Sequence, residues 1–119
     1  MKFNFEEKEN IVLLHINGEL IGQHQLNAII EPLKRYIEDE KCNFVVELSQ
    51  LTNINSTGLT TLLMMLTKTR NAGGDTILAN IPNQLSKLLV ITKLNSIFMV
   101  KNSIAEAVEE FVKVLKEEN

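Results

Sequence analysis

Asn55, Ser56, Thr57 and Gly58 stand in a row immediately before the apolar run that begins at Leu59 and continues through Leu66. Asn, Ser and Thr side chains accept hydrogen bonds from the free N–H groups at a helix start, and a single one suffices. Three candidates in succession exceed that need. A helix beginning here holds several unpaired N–H groups and the positive end of its macrodipole. A hydroxyl at that point is placed to carry a phosphate, because the added charge would sit where amides point at it. Gly58 removes side-chain bulk beside the hydroxyls and costs about 1 kcal/mol of helix propensity relative to alanine. That cost is easiest to understand if something approaches the backbone closely. Capping chemistry alone accounts for the same residue types, so the segment by itself leaves both readings open.

No other set of chemistry-bearing residues forms a recognisable constellation. His15 and His24 are isolated, and with Cys42 as the one cysteine they do not make a metal site or an intramolecular disulfide. Cys42, between Lys41 and Asn43, reads as an ordinary strand-edge residue, and His15 as a sheet-face or edge residue. The chain has no phosphate-binding loop, no dinucleotide fingerprint and no nucleophile elbow. Gly73-Gly74 closes a helix where a dinucleotide turn would open one. Glu38-Asp39-Glu40 and Glu109-Glu110 are explained as solvated charge at helix ends or faces. The expectation is a protein that is not an enzyme, with no cofactor and no metal.

The elements around the hydroxyl segment follow from periodicity. Phe3 and Phe5 alternate with polar residues, and Ile11 to Ile16 follow a charged turn at Glu6–Asn10, as in a hairpin broken at Gly18. Leu26, Ile29, Ile30, Leu33, Tyr36 and Ile37 have the spacing of an amphipathic helix from about Gln23 to Asp39. Asn43 to Leu48 is a β-branched strand, followed by polar residues Ser49 to Asn55 read as a loop. A second helix then runs from about Ser56 to Asn71, with Leu59, Leu62, Leu63 and Leu66 as its apolar face and Gly73-Gly74 as its end. Met65 lies at the margin of that face. Met64 lies well away from it, either as an adaptable docking contact or beneath a neighbouring helix.

Thr76–Ile81 reads as a strand, and Pro82 suits the first turn of a short helix reaching about Leu89. Ile97–Val100 is a last strand. Ser103 caps a final helix carrying Ile104, Ala107, Val108, Phe111, Val112 and Leu115, with Lys116 to Asn119 as a fraying tail. The order β-β-α-β-α-β-α-β-α implies an α/β domain with a mixed, mostly parallel sheet and helices packed on it. Residues 1–119 are read as one domain.

Composition narrows the partners. Apolar residues make up 45% of the 119, enough for a core that needs no disulfide or metal. The net charge of −3, basic residues scattered among acids and the absence of Trp disfavour nucleic acid. The start MKFNFEEKEN is too charged for a signal peptide, and no apolar run approaches the roughly 18 residues of a membrane span. A cytoplasmic location is expected, with no direct membrane insertion and with the oligomeric state open.

Asn55-Ser56-Thr57-Gly58-Leu59 after Leu48-Ser49-Gln50-Leu51, the Gly18-Glu19-Leu20 turn, Ala72-Gly73-Gly74 and the Leu88–Leu94 stretch together resemble the STAS domain family. Within it the chain is similar to bacterial anti-sigma-factor antagonists. The resemblance implies that Ser56 is the phosphoacceptor, with Thr57 as fallback hydroxyl, and that a serine kinase that is itself the anti-sigma factor is the partner. It further implies that the unphosphorylated form binds this kinase and that phosphorylation breaks the complex. Asn55, Thr57, Gly58 and Met64 are the expected partner-binding residues. Two positions depart from the family pattern: Asn55 replaces the usual aspartate, and Ile21 stands where many members carry another. Both remove negative charge near the acceptor. A non-phosphorylated adaptor, or a subunit of a signalling or lipid-transport assembly, is the alternative.

Overall fold

Strands that succeed one another through right-handed crossovers in one direction put all their connecting helices on one face. The computed structural model has this arrangement and describes residues 1–118, with side chains through Val114. The elements are β1 (Lys2–Lys8), β2 (Ile11–Leu20), α1 (Gln23–Glu38), β3 (Asn43–Ile54), α2 (Ser56–Asn71), β4 (Asp75–Ala79), α3 (Asn83–Ile91), β5 (Met99–Lys101) and α4 (Ile104–Glu118). The expected burial of Leu115 and the expected fraying of residues 116–119 concern side chains outside those described. The five strands lie in sequence order; β1 is antiparallel to β2, and every other pair is parallel.

The larger core lies under α1, α2 and α3, where Val12, Leu14, Ile16, Phe44, Val46, Leu48 and Leu78 meet Ile29, Leu33, Leu62, Met65 and Leu85. On the opposite face α4 alone covers the sheet, and Ala107 and Phe111 close on Ile11, Leu13, Val45, Ile77 and Ala79. Coverage of both faces explains why Ile11 to Leu14 are all buried without alternation.

Three expectations shift. The hairpin turn is only Glu9-Asn10, at φ 52° and 69°, so β1 continues through Lys8 and pairs with Ile11. That two-residue turn with both residues left-handed matches the twist of the strands it joins. Gly18, at φ +102°, does not end β2 but accompanies a register shift, and the strand runs on to Leu20. Ser49 to Ile54, expected as loop, extends β3. Its residues pair with the end of β2 (Asn17 with Gln50, Glu19 with Asn53, Leu20 with Ile54), and Leu51 and Ile54 are buried. Polarity misled there because α4 does not reach this part of the sheet, so one face can stay wet.

The remaining boundaries move by a few residues. β4 ends at Ala79, β5 is Met99–Lys101, and Pro82 is the cap of α3 rather than inside it. Ser103 caps α4: its Oγ accepts from the Glu106 N–H at 3.1 Å, and Glu106 Oε2 accepts from the Asn102 N–H at 2.9 Å.

Candidate functional site

Parallel pairing of Leu20 with Ile54 brings the ends of β2 and β3 side by side, so the turns into α1 and α2 are neighbours. Such carboxyl ends of parallel strands are where α/β sheets present their loops. Asn55 is the N-cap of α2; its Oδ1 accepts from the Gly58 N–H at 3.0 Å. Its Nδ2 donates to the Ile21 carbonyl at 3.1 Å. The amide thus caps one helix and holds the entrance of the other, which a carboxylate, lacking a donor, cannot do.

Ser56 is the first residue of α2 and is exposed, and its hydroxyl has no hydrogen-bond partner among the described residues. The Gly58 and Leu59 N–H groups are occupied by the Asn55 side chain and carbonyl. The N–H groups of Ser56 and Thr57 have no acceptor inside the helix, as its geometry requires. The first turn has no acidic residue. Thr57 is half-buried, and its carbonyl accepts from Thr61 Oγ1 at 3.2 Å.

Gly58 is buried. A Cβ placed there would stand 2.0 Å from the Leu20 carbonyl oxygen and 2.7 Å from Ile54 Cγ1. The close approach that its glycine suggested is therefore made by the chain's own β2, and in this structure Gly58 presents no side for a partner to touch. Met64 is half-buried against the main core, so a neighbouring element partly covers it. Met65, expected at the margin, is fully buried, whereas Leu63 is only partly so. The buried stripe runs through Leu59, Leu62, Met65, Leu66 and Thr69, because α2 also turns toward β4, where the Thr69 and Thr76 hydroxyls meet at 2.8 Å. Of the five expected residues, Asn55, Ser56 and Thr57 cluster at the accessible helix start.

Three amide side chains that sequence reasoning missed complete the collar. Gln25 Oε1 accepts from the Ile21 and Gly22 N–H groups at 2.8 and 2.9 Å, and its Nε2 donates to the Glu19 carbonyl at 3.1 Å. Asn53 Nδ2 donates to Glu19 Oε2 at 3.2 Å, and Gln84 Nε2 from α3 donates to Asn53 Oδ1 at 2.8 Å. A glutamine at the third helical position is a capping signal and could have flagged Gln25. Gln84 carries no local signal, since its partner is brought to it only by the fold.

A second polar group lies on the other face of the sheet. Glu47, buried on β3, accepts from the Ser49 N–H at 2.6 Å and from Asn80 Nδ2 in the β4–α3 turn. Burial pushes its carboxyl upward, but hydrogen bonds from Ser49 and Asn80 and the nearby His15 outweigh it and hold the group below the usual carboxylate range. His15 lies on this face, half-exposed, 3.4 Å from Glu6 Oε2. Among the described residues, no group of three or more His, Cys, Asp or Glu side chains is arranged to hold a metal, and no helix is long and apolar enough to cross a membrane.

A sequence model of the STAS domain matches residues 2–107. The chain belongs to the STAS domain family. Solved structures share its fold. A proposed anti-sigma factor antagonist from Thermotoga maritima superposes with a TM-score of 0.82 at 22% identity, over 91% of this chain and 92% of that one. The Bacillus cell fate determinant SpoIIAA in its phosphorylated form gives 0.74 at 20% identity, over 92% and 99% of the two chains. A sulfate transporter family protein from Wolinella succinogenes gives 0.68 at 17% identity, over 92% and 90%. At these identities the likeness is one of fold, and it extends to chains of both regulatory and transport description.

Proposed function

We propose that residues 1–119 act as a single STAS domain, a cytoplasmic anti-sigma-factor antagonist of bacterial type that docks on a serine kinase serving as the anti-sigma factor. Ser56 is its phosphoacceptor, and the protein is a regulator rather than an enzyme. The observation that carries this reading is the uncommitted, exposed Ser56 hydroxyl at the first position of α2, on a backbone held from both sides by Asn55 and Gly58. In the transfer, Ser56 Oγ forms the new bond to the γ-phosphorus of ATP, the bond to the ADP oxygen breaks, and a base on the kinase takes the hydroxyl proton. The first turn of α2 supplies no carboxylate for that purpose.

The product carries roughly −1.5 to −2 charges at a helix N-terminus whose free amides favour an anion. The free protein accommodates it. An interface closed over the same spot does not, because the dianion adds bulk and must lose water there. Asn55 and Thr57 flank the acceptor and form the contact surface with it.

Incubation with the matched kinase and ATP is expected to add one phosphate, detected by intact-mass and peptide mass spectrometry. Ser56→Ala prevents it, and Ser56→Asp weakens the kinase complex. Equal labelling and binding by wild type and Ser56→Ala would sink the switch.

A second reading, a constitutive adaptor of a signalling or lipid-transport assembly, is favoured by one observation. Asn55 already spends both ends of its amide inside the protein, and Ile21 beside it is an exposed apolar residue where charge would otherwise be expected. An ATP-independent copurifying partner without a kinase fold, together with unmodified Ser56 in the native host, supports that reading.

A further inference from the structure

β1 is an edge strand, hydrogen-bonded only to β2 in the sheet order. Its outer edge therefore presents a row of backbone donors and acceptors, the usual template for another strand. The phase of that row is fixed by the hairpin. Lys8 and Ile11 close the two-residue turn and so form a hydrogen-bonded pair. By alternation Lys2, Asn4 and Glu6 point their N–H and C=O groups at β2, while Phe3, Phe5 and Glu7 point theirs outward.

The side chains alternate with the same period. Phe3 and Phe5 lie on the α1 side, where their rings are 6.0 Å apart and Phe5 meets Tyr36 at 5.5 Å, and both remain only half-buried. Lys2, Asn4 and Glu6 lie on the opposite, exposed face.

We propose that this edge is a docking surface for β1 of a second copy of the chain, paired antiparallel about a two-fold axis at Asn4. In that register Phe3 faces the second copy's Phe5, and Phe5 faces its Phe3, and both are outward-pointing residues that can exchange hydrogen bonds. Lys2 faces Glu6 and Glu6 faces Lys2, so opposite charges meet twice. Sliding by two residues toward the turn sets Lys2 against Lys8 and Phe3 against Glu7. Sliding two the other way sets Phe3 against Phe3 and Lys2 against Asn4, with no opposite charges. Odd shifts match outward with inward backbone groups and turn one sheet over. One register alone satisfies backbone, charge and aromatic pairing together. The pairing joins two five-stranded sheets into one and uses up the β1 edge, so it closes as a dimer and does not grow. A single strand pair is a small interface, and the dimer is correspondingly weak and concentration-dependent.

Asn4 pairs with itself at a non-hydrogen-bonded site, where Cα atoms of antiparallel strands approach to about 4.5 Å, within disulfide reach. In a Cys42→Ser background, Asn4→Cys is expected to give a covalent dimer on mild oxidation, and Lys8→Cys, remote from the axis, is not. By sedimentation, Lys2→Glu or Glu6→Lys alone weakens dimerisation about tenfold. The two together restore it. A monomer at millimolar concentration, equal cross-linking through Cys at positions 4 and 8, or a double variant no better than the singles overturns the proposal.

Discussion

The two ends of α2 are built on the same steric demand and put to different use. At its start, Gly58 lies under the Leu20 carbonyl of β2; just past its end, Gly74 lies under the Cys42 carbonyl that precedes β3. An added Cβ would come within 2.0 Å of the first oxygen and 1.9 Å of the second. At the C-terminal end the polar groups are consumed locally: Gly74 N–H donates to Thr69 at 2.8 Å and Asp75 N–H to Cys42 at 3.2 Å. At the N-terminal end the packing is equally close, yet among the described residues the Ser56 hydroxyl and two helix amides stay uncommitted. Close packing is therefore common to both ends, and what distinguishes the candidate site is unspent polar capacity on a rigid base.

The largest effects should fall on what the two ends share. Gly58→Ala and Gly74→Ala each force a methyl into a backbone carbonyl and should each cost about 3 kcal/mol in urea unfolding. If only one does, the ends are not equivalent supports. Gly73→Ala meets no atom within 4 Å but sits at φ +90°, so the cost falls to about 1–2 kcal/mol, a backbone effect alone.

The next tests separate the ends. Asn55→Ala removes both the cap and the tie to Ile21 and should lower stability by about 1–2 kcal/mol. Asn55→Asp keeps the cap and loses only the donor. Its smaller loss, about 1 kcal/mol, should appear as faster amide exchange in the turn into α1 with Gly58 still protected. Equal effects of the two variants would mean that the tie carries nothing.

Glu47 tests the strand that runs between the two ends. Because its carboxyl is held below the usual range, its contribution is complete above the ordinary glutamate value of 4.5 and is lost as pH falls through the lowered one. Stability measured by denaturant across that acid range should drop in wild type. Glu47→Gln should flatten this slope and cost about 1–2 kcal/mol at neutral pH, since one amide cannot accept from both Ser49 and Asn80 without offering a donor in return. The smallest stability effect belongs to Ser56→Ala, within about 0.5 kcal/mol, because the hydroxyl bonds to nothing described. A large loss there would reveal a structural role and argue against a free acceptor.

Local pattern carried much of this protein. The element order was legible from periodicity, and α2 was read to its observed bounds, Ser56–Asn71, because Asn55 and Gly73-Gly74 punctuate it. Asn55, Ser56 and Thr57 were legible as a helix start for the same reason: their capping chemistry is declared within one helical turn. The ends of β2 and β3 were not legible, since Asn17 to Leu20 and Ser49 to Ile54 become strand only by pairing with each other. Neither segment has a reason to extend alone.

The tertiary structure decided what each flagged residue does. Gly58 turned from a suspected partner contact into the seat of the Leu20 carbonyl, Met64 moved partly under cover, and Gln84 joined a network that begins on β2. Sequence determines what lies within reach of one turn of chain, because capping, propensity and alternation act over a few residues. Which carbonyl lies over a glycine, and which hydroxyl is left free, depends on strands distant in sequence meeting side by side, as Leu20 and Ile54 do. That meeting is set by burial of the whole core.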